Sequence, residues 1–272
     1  MSADGVRLTV LGGCGAWPAA GQACSGYLVE SGGYRVLLDP GYATLPRLLS
    51  LVPATAVDAV VVTHGHPDHC ADLNPLLRAR ALGDEPAAPL PVYAPRASLR
   101  AVLALDDMRA MTSAADIRDL ADGDVTELGP FSMTVAELPH HVPNVGIRLA
   151  AGTAVLAYTG DSGPDRTVVD LAQGADLFLV EATYPDSVPD EDAPYLCDAA
   201  QAVDEGTAAG VGQVLLTHWW PTAARSAYDE VLRGLAGAAP PARLAAPRDV
   251  VDVGQRGAST EVPREQMRQT GR

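Results

Sequence analysis

Short apolar runs punctuated by turn residues dominate the chain. Residues 6–11 predict a strand that stops at Gly12-Gly13-Cys14-Gly15. Residues 27–30 and 34–39, joined by Ser31-Gly32-Gly33, predict a β-hairpin. Residues 57–63 form a nearly continuous, valine-rich run, as expected of a strand covered on both faces. From Leu73 to Leu82 the apolar residues fall at helical spacing and stop at Gly83. Further strands are predicted over 131–138, 145–150, 154–158, 177–180 and 214–217, and helices over 166–173, 197–209 and 223–235. In each half strands lead and helices follow, an order that fits two packed sheets with helices outside. No repeat is present at the periods of solenoids. Residues 1–254 are expected to form one domain, and 255–272, rich in Gln, Arg, Ser, Thr and Glu, a disordered tail.

Composition narrows the function classes. Of 272 residues 47% are hydrophobic, enough for a sizeable core, yet no apolar run reaches the roughly 18 residues of a membrane span. The first residues lack a basic region and run directly into a strand, so a cytoplasmic location and no membrane contact are expected. The four cysteines lack the close spacing of a metal knuckle and are expected to be reduced thiols. A net charge of −15 argues against a protein built to grip a polyanion. All 19 basic residues are arginine, which removes Schiff-base and lysine-base chemistry.

With six histidines in the chain, each can be placed. His64, His66 and His69 fall in Thr63-His64-Gly65-His66-Pro67-Asp68-His69, directly after the valine-rich strand. Alternate residues of an extended segment face the same way, so His64 and His66 can converge while Asp68 and His69, past the proline, turn to a second point. Imidazole and carboxylate are the ligands of zinc and similar divalent metals. Distant partners are available: His140 follows the 131–138 strand, Asp161 the 154–158 strand, and His218 the 214–217 strand.

These motifs resemble the metallo-β-lactamase superfamily, in particular its ribonuclease Z-like and small phosphodiesterase-like branches. The Thr-His-x-His-x-Asp-His segment carries the resemblance, which runs from about residue 6 to residue 254. It implies an α+β, αββα four-layer sandwich with the site on one edge, holding two divalent ions, zinc being the expected metal. It implies His64, His66 and His140 on one ion, Asp68, His69 and His218 on the other, and Asp161 between them. Asp39, in Leu37-Leu38-Asp39-Pro40-Gly41, matches an aspartate that orients the metal loop in that family; the alternative is a plain turn residue. Gly146-Ile147-Arg148 favours His140 over His141 as the ligand, leaving His141 as an outer or substrate contact.

Two departures bear on the substrate. Ribonuclease Z enzymes carry another histidine after the segment matching Glu181-Ala182-Thr183-Tyr184; Tyr195 stands there instead. No counterpart of the tRNA-binding arm is present: the 56 residues between Asp161 and His218 contain Arg166 as their sole arginine. A small-molecule substrate is therefore expected, nucleic acid is disfavoured, and a homodimer is left open. The resemblance implies hydrolysis by a metal-bridging hydroxide, with Asp68 and Asp161 among the catalytic groups. A small phosphodiester such as a cyclic nucleotide is the expected substrate; an ester, thioester or lactone is the alternative, and a non-catalytic member of the fold the third. Tyr195, His141 or a metal-bound water could protonate the leaving group, unless that group needs no help. Trp219 and Trp220, beside His218, read either as an apolar wall of the pocket or as core packing.

Overall fold

The computed structural model describes residues 5–84, 87–106, 113–237 and 240–254. Its strands are β1 Val6–Gly12, β2 Gly26–Ser31, β3 Tyr34–Leu38, β4 Ala59–Val61, β5 Leu90–Pro95, β6 Ala115–Leu120, β7 Val125–Leu128, β8 Phe131–Leu138, β9 Asn144–Ala151, β10 Ala154–Tyr158, β11 Leu177–Glu181, β12 Gln213–Thr217, β13 Ala242–Leu244 and β14 Val250–Val253. The α-helices are α1 Leu45–Leu49, α2 Pro67–Cys70, α3 Leu73–Leu82, α4 Arg100–Leu103, α5 Arg166–Ala172, α6 Ala199–Ala208 and α7 Arg225–Leu235. Seven strands make one sheet in the order β14-β1-β2-β3-β4-β5-β6, and seven make the other in the order β13-β12-β11-β10-β9-β8-β7.

Three hydrophobic clusters show how these layers stack. One, including Leu8, Val36, Val61, Phe131, Ile147 and Leu179, draws on both sheets and fills the space between them. A second joins the second sheet to α5, α6 and α7 through Phe178, Leu216, Val203 and Tyr228. The third joins the first sheet to α1, α3 and α4 through Val60, Leu48, Leu76 and Val102. Three cores between four layers are the αββα sandwich that the sequence implies. Among the described residues, no helix is long and apolar enough to cross a membrane.

Most element assignments survive with shifted ends. The β2–β3 hairpin turns on Gly32 and Gly33, with φ of 55° and 86°, the left-handed pair that a two-residue hairpin turn of this hand demands. The 57–63 run contributes strand pairing only over Ala59–Val61, although Val57 and Val62 are also buried. Several elements lie outside the sequence expectations, notably β6, β7, β13 and β14. β6 is an edge strand whose middle four residues, Asp116 to Asp119, are exposed, so no apolar alternation marks it. The proposed tail, 255–272, lies outside the described residues.

Strand direction places the site. β3 and β4 run parallel in one sheet. In the other, β10, β11 and β12 are parallel, and β8 shares their direction because β9 is antiparallel to both β8 and β10. Within each sheet these strands deliver their C-terminal residues to the same edge: Asp39 and the His64–His69 loop from one, His140, Asp161 and His218 from the other.

Candidate metal centre

Two groups of side chains converge at that edge. His64, His66, His140 and Asp161 form one, and Asp68, His69, Asp161 and His218 the other, with the ligand atoms of each group within 4.8 Å of one another. Asp161 belongs to both.

Four of the five histidines are anchored on the outside and open on the inside. His69 Nδ1 donates to Asp39 Oδ2 at 2.8 Å. His64 Nδ1 lies 3.1 Å from Thr63 Oγ1, whose own proton goes to Asp39 Oδ2 at 2.8 Å, so the imidazole donates here too. His140 Nδ1 donates to the Tyr195 carbonyl at 3.1 Å. His218 Nδ1 donates to Thr183 Oγ1 at 2.9 Å, and that hydroxyl donates to Glu181 Oε2 at 2.8 Å. Each bond occupies Nδ1 on the outside and turns Nε2 inward, the orientation that metal-binding imidazoles adopt. His66 presents Nδ1 instead, 3.0 Å from His64 Nε2 and 3.2 Å from His140 Nε2. His66 Nδ1 thus meets two nitrogens whose rings are hydrogen-bonded through Nδ1 elsewhere, and the three gather at one point.

The second group gathers negative charge. His218 Nε2 lies 3.1 Å from both Asp68 Oδ2 and Asp161 Oδ2. Asp68 Oδ2 also accepts from the Ala16 backbone N–H at 2.7 Å. Burial would lower the proton affinity of His69 and His218, but the surrounding carboxylates prevail: His69 is held well above the usual imidazole range and His218 is pushed up to about 9. His64 and His140 respond the other way. Burial and neighbouring imidazoles hold His64 well below its ordinary value, and burial brings His140 down to about 4. Asp161, despite burial, is kept well below the carboxylate range by His218 and His69. One group therefore offers neutral imidazoles, while the other draws positive charge into a buried space. His69 Nε2 and Asp161 Oδ1 remain buried without a hydrogen-bond partner, 3.2 Å apart. A buried imidazole nitrogen and a carboxylate oxygen left without partners, within an imidazole–carboxylate set, fit divalent ions.

Asp39 is hydrogen-bonded to the His64–His69 loop at several points. Fully buried just past β3 with φ 46°, it accepts from Thr63 N–H at 2.7 Å, Thr63 Oγ1, His69 Nδ1 and the Tyr158 hydroxyl at 2.6 Å. His218 is likewise held at a left-handed φ of 54°, a strain that tends to collect at functional positions. Gly160, at φ 60°, lies where a Cβ would strike Asn144 Oδ1 and Thr63 Oγ1 at 2.6 Å, so glycine alone lets the Asp161 loop close onto the His64 loop. Asn144 then ties that loop down by donating to the Asp161 carbonyl at 2.7 Å.

His140 and His141 part company. The His140 side chain is 2% exposed and inside the first group; that of His141 is 41% exposed, with Nε2 3.6 Å from Asp192 Oδ1. The His141 ring packs on Tyr195 at 4.3 Å between centroids. Tyr195 thus meets the site through its carbonyl, on His140, and its ring lies beyond, on His141. Tyr158, Asn144, Thr183 and Glu181 have no assigned role in the sequence reading. Glu181 is fully buried and pushed up to about 8 by burial and the Asp161 charge, while it accepts from Thr183, Ser162 and Cys197. Only its place in the Glu181-Ala182-Thr183-Tyr184 segment could have signalled it.

A family profile described as a beta-lactamase superfamily domain matches residues 34–219. The chain belongs to the beta-lactamase superfamily. Within the superfamily it is 33% identical over 219 residues to a probable metallo-hydrolase, YhfI, of Bacillus subtilis, covering 78% of this chain and 86% of that protein. The crystal structure of YhfI, described as a metallo-beta-lactamase fold protein, matches with a TM-score of 0.82 and 28% identity over 92% of this chain and 99% of that one. Ribonuclease Z of Mycolicibacterium gilvum is 28% identical over 243 residues, 80% of this chain and 85% of its own. The short form of human tRNase Z shares the fold, with a TM-score of 0.72 at 19% identity over 90% of this chain and 98% of that one.

Proposed function

We propose that this chain is a hydrolase dependent on two divalent metal ions, zinc being the expected metal, and that its substrate is a small phosphodiester such as a cyclic nucleotide. The observation that carries the proposal is the pair of four-residue groups sharing Asp161, with inward-facing nitrogens whose outer partners are already fixed. His64, His66 and His140 would hold one ion, Asp68, His69 and His218 the other, and Asp161 both. Bound divalent ions supply Lewis acidity and bring a water within reach of ionisation near neutral pH. The chain's own residues do the positioning. Asp39, through Thr63 and His69, keeps the histidine loop in register; Thr183 and Glu181 hold His218; the Tyr195 carbonyl holds His140.

The relatives support phosphorus chemistry, since ribonuclease Z is among them. An observation favours a second reading, an ester, thioester or lactone as substrate: between residues 162 and 217 the sole arginine is Arg166, so little beyond the metals would neutralise a phosphate. The same scarcity, with the net charge of −15, disfavours tRNA as substrate. We take the location as cytoplasmic and leave a homodimer open. Elemental analysis should find close to two divalent ions per chain, and the loaded protein should cleave bis-p-nitrophenyl phosphate or cyclic nucleotides faster than p-nitrophenyl esters or thioesters. A single ion at full loading would sink the two-metal claim. Ester turnover without phosphodiester turnover would install the second reading.

A further inference from the structure

The chain has three tryptophans: Trp219 and Trp220 directly follow His218, and Trp17 follows Ala16, whose backbone N–H reaches Asp68. They do not share one role. Trp219 packs against the core between the second sheet and its helices. Trp220 turns the other way: the Trp17 ring meets it edge-on at 4.9 Å, and the Tyr184 ring lies nearly parallel to it at 6.1 Å and 13°. Trp17 remains 39% exposed, a large apolar surface left to water.

This aromatic group is fixed to the site from three sides. The residue before Trp17, Ala16, donates its N–H to Asp68 Oδ2. Trp220 comes two residues after His218, and Tyr184 follows Thr183, whose hydroxyl holds His218. Reciprocal backbone bonds, Gly15 N–H to the Trp219 carbonyl at 3.0 Å and Trp219 N–H to the Gly13 carbonyl at 3.2 Å, weld the two tryptophan-bearing segments together. Ala16 sits at φ 58°, a strained value for a residue with a Cβ. Strained, cross-braced backbone holding an exposed indole beside a polar cluster is the construction of a preorganised binding wall, since loose surface packing needs neither. Its far end is acidic: the Tyr184 hydroxyl donates to Asp192 Oδ2 at 2.7 Å, and Asp186, Asp190 and Glu191 are exposed in the same segment.

We propose that Trp17, Trp220 and Tyr184 form the specificity wall of this site, and that the substrate carries an uncharged planar ring, aryl or nucleobase, close to the bond that is cleaved. This rests on the hydrolase reading above and adds the class of group flanking the scissile bond. Planar rings gain by stacking on aromatic side chains, and the carboxylates along the wall turn away ligands with several negative charges.

Because Trp17, Trp219 and Trp220 are the only tryptophans, intrinsic fluorescence reads this wall directly. The zinc-loaded chain would be titrated with phenylphosphonate against methylphosphonate, and with adenosine 5′-phosphate against ribose 5-phosphate. In at least one pair the ring-bearing probe should bind about tenfold tighter or better, a span typical of one aromatic stacking contact. Trp220→Ala should erase most of that preference while leaving the ringless probe's affinity unchanged. Trp17→Ala, on an exposed position, repeats the test if Trp220→Ala fails to fold. Equal affinities within both pairs, no binding of any probe at millimolar concentration, or a preference that survives both substitutions overturns the proposal. Turnover of bis-p-nitrophenyl phosphate is measured on the same preparation. Ring preference without turnover refutes the hydrolase reading and leaves the wall standing; turnover without ring preference does the reverse.

Discussion

Tyr158→Phe isolates one bond in the support of the metal loop. The Tyr158 hydroxyl donates to Asp39 Oδ2 at 2.6 Å, and both residues are buried, at 1% and 0% exposure. Phenylalanine keeps the ring and its edge-to-face contact with Tyr27, whose centroid is 5.2 Å away. The loss is therefore one hydrogen bond to a buried charged acceptor, worth about 1.5–3 kcal/mol. Asp39 retains its bonds from Thr63 N–H, Thr63 Oγ1 and His69 Nδ1, so the carboxylate is weakened and not orphaned. For a chain of this size the cost corresponds to a Tm lower by roughly 3–6 °C. Urea unfolding followed by far-UV circular dichroism, with and without zinc, measures it. Zinc affinity should fall by less than about tenfold, below the range for removing a residue that touches a ligand directly, because His69 keeps its own bond to Asp39. A stability change within about 0.5 kcal/mol, at an unchanged dependence on urea, would refute the claim that this hydroxyl supports Asp39.

His140→Ala should abolish turnover and release metal, while His141→Ala retains most of the metal; the opposite result in elemental analysis would reverse the assignment. Tyr195→Phe keeps both the carbonyl that holds His140 and a ring to pack on His141, so kcat on activated substrates should drop less than about tenfold; a thousandfold loss with metal retained would make the phenol a proton donor. Glu205, in α6, is pushed up by burial from 4.5 to about 7. Its contribution to stability is fully present below pH 4.5 and is lost as pH rises through about 7, since the unfolded chain ionises first. Urea midpoints of Glu205→Gln should accordingly vary less than those of the unsubstituted chain between pH 4.5 and 7, and identical slopes would remove Glu205 from the account.

The imidazoles and carboxylates that gather at the sheet edge, and their order along the chain, were legible from the residues alone. The Thr63–His69 segment is local: alternation and one proline bring four polar groups out of a single strand end, so spacing carries the information. Strand-end placement likewise marked His140, Asp161 and His218, because an apolar run followed by a polar residue is visible without knowing the neighbours. The remaining features depend on contacts between segments far apart in the chain. His140 and His141 are chemically identical neighbours, separated by burial against Tyr195, 55 residues away. Tyr158 reads as one more apolar strand residue until Asp39, 119 residues earlier, accepts its proton. Trp219 and Trp220 point to opposite surroundings because consecutive residues diverge after a strand, and no spacing rule says which one meets the core. β6 escaped notice because an edge strand borrows its order from the backbone ladder of β5, which its exposed side chains do not advertise.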